Sequence, residues 1–114
     1  AMINWKNADE NELLLLDSIK FLLKNHQKLL IFLLHPSKPR LNGDPQALLQ
    51  DASCFSSGEY LLIQIAIDFW DGSGNAKLVD IYSILDRNIY LRLLKVIDRL
   101  KWKAINSSSY GRFN

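Results

Sequence analysis

Four cations near the carboxyl end of this 114-residue chain fall on one helical edge. Arg92, Lys95, Arg99 and Lys103 follow at spacings of three, four and four, so a helix through them carries a single basic stripe. Guanidinium and ammonium groups in such a row suit nucleic-acid backbones, where phosphate neutralisation dominates affinity. Arg87 and Lys101 lie near the ends of the stripe, and Trp102 and Tyr110 offer flat surfaces for stacking. The plainer reading is a solvated face, because basic side chains also suit the carboxyl end of a helix.

The other reactive residue types are sparse. His26 and His35 are nine apart and Cys54 is the only cysteine; no pair has the i,i+3 or i,i+4 spacing of metal ligands, so no metal or cofactor is expected. Cys54 has no activating base nearby in sequence, and no Gly-x-Ser-x-Gly elbow occurs. Asp68 and Asp71 could share a proton at the end of a helix, although a turn-starting aspartate accounts for Asp71 as well. The stretch Asp71-Gly72-Ser73-Gly74-Asn75 precedes a helix as phosphate cradles do, but it lacks the Gly-Lys-Ser/Thr ending and the spacing of a dinucleotide loop. No catalytic set converges, so the chain reads as non-enzymatic and without a small-molecule ligand.

Composition is that of a soluble single domain, 48% hydrophobic and 23% charged. A lone cysteine and a polar first dozen residues favour a cytoplasmic protein without a leader, and no apolar run is long enough for a membrane span. The net charge of +2 is unevenly distributed: residues 1–76 hold six basic and nine acidic side chains, and residues 77–114 hold eight and three. Such a split is compatible with a basic docking end.

The elements that must position these residues are helical. Between residues 11 and 35, Leu15, Ile19, Leu22, His26, Leu29 and Leu33 recur at spacings of four and three with no Gly or Pro until Pro36, which predicts one long amphipathic helix. A break at residues 24–27 is its main rival. His26 sits in the apolar seam, where a histidine must find a hydrogen bond or an edge; a pH-sensitive interface position is the sharper alternative. Asp44-Pro45 opens a short helix. Ser56 with Glu59 forms a capping box for a helix over 57–70, with Phe55 and Tyr60 as its hydrophobic staple; a strand over 60–70 is the alternative, because Ile63, Ile65, Ile67 and Phe69 also alternate. Gly72 or Gly74 suits a left-handed C-cap. Asn75 then caps a helix over 76–85 and Asp86 caps one over 87–102. Residues 1–8 and 104–114 are expected to fray.

The predicted fold is all-α, a compact bundle of about five helices with a long amino-terminal one, or α+β if 60–70 is a strand. Core candidates are Leu15, Leu16, Ile19, Leu22, Leu23, Leu30, Leu33, Leu62, Ile63, Ala66, Ile67, Leu78, Ile81, Leu93, Val96, Ile97 and Leu100. Leu14, Phe21 and Phe32 make a second apolar strip on the first helix, more surface than one small domain readily hides. With His26 they form a candidate interface to a protein partner or a second copy. The rival function rests on the segments over residues 57–102. Helix, glycine turn, short helix, tight joint and final helix resemble a helix-turn-helix over about 45 residues, through spacing and charge alone. That likeness implies nucleic-acid contacts by Arg92, Lys95, Arg99 and Lys103.

Overall fold

A computed structural model describes residues 10–106, with side chains through Ala104. Six α-helices follow in order: α1 Glu10–Leu22, α2 Gln27–Leu33, α3 Pro45–Asp51, α4 Ser57–Asp71, α5 Leu78–Ile84 and α6 Arg87–Asn106. A 3-10 turn, Ala52–Cys54, extends α3. The described residues hold no strand; an isolated bridge pairs Leu34 with Leu41. The all-α reading holds, and the strand alternative at 60–70 is replaced by α4. The final helix runs past the expected end at 102, through Asn106. Residues 1–8 and 107–114 lie outside the described residues.

The long first helix is two helices. The Lys24 N–H bonds to the Phe21 carbonyl at 3.4 Å, and His26 takes a non-helical conformation with φ −127° and ψ 64°. The His26 carbonyl then receives the N–H groups of Leu29 and Leu30 at 2.9 and 3.1 Å, starting α2. Neither Gly nor Pro forces the break. Asn25 and His26 are only middling helix formers, and a turn here lets Leu22, Leu23, Leu29 and Leu33 all become fully buried. A straight rod of about 24 residues would span roughly 36 Å and leave part of that seam in water. Each leucine enclosed in this way contributes about 2 kcal/mol.

α4 is the hub, in contact with α1, α2, α3 and α5, while α6 lies on α1. Its termini are set locally. The Ser56 hydroxyl accepts the Glu59 N–H at 3.2 Å, the Glu59 carboxylate accepts the Ser56 N–H at 3.1 Å, and Gly72 closes the helix at φ +81°. Between these caps Leu61, Leu62, Ile63, Ile65, Ala66 and Ile67 are all buried, so neighbours cover most of the circumference. α2 docks on the start of α4: Lys28 pairs with Glu59 at 2.7 Å, and Phe32 meets Phe55 edge-on at 5.1 Å.

The core also draws on residues outside the predicted set. Leu34, Leu41, Leu48, Leu49 and Ala52 are buried, carried there by the bridge and by α3, whose Asp44 cap accepts the Ala47 N–H at 3.2 Å. Two predicted core residues are exposed, Leu78 at 79% and Ile97 at 48%, and Leu15, Leu30, Ile81 and Leu100 are half-buried.

Candidate docking surface on α5 and α6

The placement of α5 begins with Asp68 on α4. Its carboxylate accepts three successive backbone N–H groups, from Gly74 at 2.8 Å, Asn75 at 3.1 Å and Ala76 at 2.9 Å. The glycine-rich segment thus forms an anion cradle, and the anion it holds is the protein's own carboxylate. Gly74 is required because a Cβ there would stand 1.9 Å from the Gln64 carbonyl oxygen. Gln64 adds a bond to the Asn75 carbonyl at 3.3 Å, and Gln46 of α3 one to Ser73 at 3.2 Å. Asn75 does not cap α5. It turns the chain at φ +59°, and Lys77 occupies the N-cap position without a side-chain bond.

α5 leaves this loop with no buried residue. Ile81 and Leu85 are half-buried against the core, whereas Leu78, Val79 and Tyr82 are exposed. A seven-residue helix has little stability of its own, so α5 is held by the loop before it and the joint after it. At that joint Asp86 accepts the Ile89 N–H at 2.9 Å and caps α6 as expected.

α6 has three strips. Ile89, Leu93 and Val96 are buried, on the helix that lies against α1. The exposed side carries Tyr90, Leu91, Leu94, Ile97 and Trp102; Tyr90, Leu94 and Ile97 run at the four-three spacing of a helix-packing seam. The cations border these strips rather than standing opposite a single apolar face. Arg92 is half-buried, and its Nε donates to the Leu22 carbonyl at 3.3 Å, an acceptor left free where α1 ends. Lys95, Arg99 and Lys103 are exposed, as are Arg87 and Lys101.

Of the candidate interface residues of the amino-terminal segment, His26 reaches the joint between α5 and α6, in a depression it shares with Ile84 and Leu85. Leu14, Phe21, His26 and Phe32 are each half-buried. Phe32 is engaged by Phe55, and the Lys24 ammonium sits 5.5 Å from the centre of the Phe21 ring. His26 borders a shallow depression with Ser56, Glu59 and Asp86, and its ring makes no cap bond. Nine of the ten exposed large hydrophobic residues among the described ones lie between positions 78 and 102, and the tenth is Ile31. The spacing of Tyr90, Leu94 and Ile97 was visible in the sequence; which of two apolar strips faces α1 was not.

The remaining reactive groups are occupied or dispersed. Asp71 accepts both the N–H and the hydroxyl of Ser73, at 3.0 and 2.6 Å, so Asp68 and Asp71 serve separate turns. His35 Nδ1 accepts the N–H groups of Ser37 and Lys38 at 3.1 and 3.0 Å. The exposed Cys54 thiol donates to the Asp51 carbonyl at 3.4 Å. No cluster of three His, Cys, Asp or Glu side chains suited to a metal occurs among the described residues, and no described helix is long and apolar enough to cross a membrane. No protein-family model, curated protein or solved structure matches the chain.

Proposed function

We propose that this protein is a non-enzymatic helical interaction module that docks a protein through the outer faces of α5 and α6. The carrying observation is the row of large apolar side chains from Leu78 to Trp102, between 37% and 79% exposed, beside a core that closes without them. At roughly 200 Å² per side chain, their exposed area is on the order of 1,000 Å². Summed over two helices, that area is comparable with one side of a standard protein interface, about 800 Å². A photo-reactive residue at Leu94 tests the reading directly. In cell extract it should form a protein adduct that the same residue at exposed Ala47 does not form; equal labelling at both positions, or none at Leu94, overturns the proposal.

Nucleic-acid binding is the second reading, favoured by the exposed row Lys95, Arg99 and Lys103. Arg92 is engaged with Leu22, so three phosphate contacts replace four, and the salt dependence of duplex binding should have a log–log slope of roughly −3. The docking reading is preferred because a recognition helix needs polar side chains for base edges, and Leu91, Leu94 and Ile97 occupy much of the outer side of α6.

A further inference from the structure

We infer that the occupant of the α6 face is an amphipathic helix with acidic flanks, a refinement that rests on the docking reading above. The apolar centre, Tyr90, Leu94 and Ile97, is two columns wide, the width that one packed helix covers. Arg87 lies three residues before this seam and Lys101 four after it, so exposed cations close both ends. Lys95 and Arg99 lie farther round the helix, beyond Leu91 and Trp102. Over residues 87–103 the helix holds six basic side chains against one acidic, Asp98, a surplus of five.

That charge pattern discriminates among occupants. An antiparallel second copy packed α6 to α6 would bring the Arg87 end of one chain beside the Lys101 end of the other, within a Debye length of about 8–10 Å, which disfavours pairing. A polyanion without apolar groups would satisfy the cations and leave Leu94 and Ile97 uncovered. A partner helix with apolar residues at four-three spacing and Glu or Asp beside them satisfies both. From Arg87 to Lys101 the contact is about 21 Å long, so about four turns of partner helix suffice.

Two labelled synthetic peptides of about 21 residues test the inference on the full chain by fluorescence anisotropy. Both carry leucines at the matching spacing; one has glutamate flanks and the other lysine flanks. The acidic peptide should bind at least about tenfold more tightly, and raising salt from about 50 to about 300 mM should narrow that margin. The double change Arg87→Glu with Lys101→Glu should reverse the preference, and Leu94→Asp should abolish binding of both peptides while helicity and melting stay unchanged. Equal binding of the two peptides, binding indifferent to Leu94→Asp, self-association in sedimentation that excludes the acidic peptide, or capture by anionic phosphatidylserine vesicles without peptide binding would each overturn it. The failures are separable: a Leu94 photo-adduct without peptide selectivity sinks the acidic-helix inference alone, and loss of the photo-adduct sinks the docking reading itself.

Discussion

α4 and α6 are both rich in leucine and isoleucine, yet they treat water differently. In α4, six side chains between Leu61 and Ile67 are buried on several sides of the helix. In α6, Ile89, Leu93 and Val96 are buried while Leu91, Leu94 and Ile97, of the same chemistry, are exposed. The difference lies in neighbours: α4 touches four other helices, whereas the main contact of α6 is α1. Apolar content therefore does not by itself assign a helix to the core; the number of elements that reach it does. Where too few reach it, the uncovered strip is surface available for function.

The contrast is broken most severely through the core. Ile63→Ala, at a position with no exposure, should cost about 3–4 kcal/mol, while Leu78→Ala and Leu94→Ala should each change stability by less than about 0.5 kcal/mol. Chemical denaturation of the three variants measures this. Equal losses would mean that α5 and α6 are buttressed as α4 is.

The next effect concerns the loop that aims α5. Gly74→Ala drives a methyl group against the Gln64 carbonyl and should cost about 3 kcal/mol. Asp68→Ala strips the acceptor from three N–H groups and should cost about 2–3 kcal/mol. Amide hydrogen exchange should then speed up at residues 74–76 ahead of the rest of the molecule; unchanged exchange there would show that the carboxylate is dispensable.

A smaller effect separates the cations. Arg92→Ala loses the bond to the Leu22 carbonyl and should destabilise by about 1 kcal/mol, whereas Lys95→Ala and Arg99→Ala should be neutral within about 0.5 kcal/mol. If all three behave alike in thermal melts, the division between a structural Arg92 and free neighbours fails.

What was legible in the sequence was local. The caps at Asp44, Ser56, Asp86 and Gly72 each follow from a few adjacent residues, and all four form. The break at 23–26 was legible only as the rival to a single rod, because what decides it is the burial of Leu22, Leu23, Leu29 and Leu33 by elements distant in sequence. The role of Asp68 was hidden for a related reason: its partners lie six to eight residues away, across a turn whose shape they themselves create. Leu41, Leu48 and Leu49 escaped because a loop and a short helix carry too weak a periodic signal. Leu78 and Ile97 were misplaced because helical periodicity identifies side chains that share a strip and is silent on whether another helix covers it. The exposed apolar strip of α6 thus lay within the readable pattern, but its exposure depended on the packing of α1.

The smallest effect tests the α4 side of the contrast by pH. The Glu59 carboxyl lies below its ordinary value of 4.5, chiefly because Lys28 hydrogen-bonds to it, with the Ser56 N–H adding to the shift. A carboxylate favoured in the folded state contributes stability that is fully present above the unfolded value and lost as pH falls through the folded one. Glu59→Gln is the matched control, because glutamine still accepts the Ser56 N–H in a capping box and lacks only the charge. The melting temperature of the parent chain should therefore exceed that of Glu59→Gln near neutral pH, and the gap should close as pH drops below about 4.5. Added salt should narrow the same gap at neutral pH, since the pair is exposed. A gap that stays constant from neutral pH into acid would show that Lys28 and Glu59 are neighbours without electrostatic consequence, leaving the join of α2 to α4 to the Phe32 and Phe55 rings.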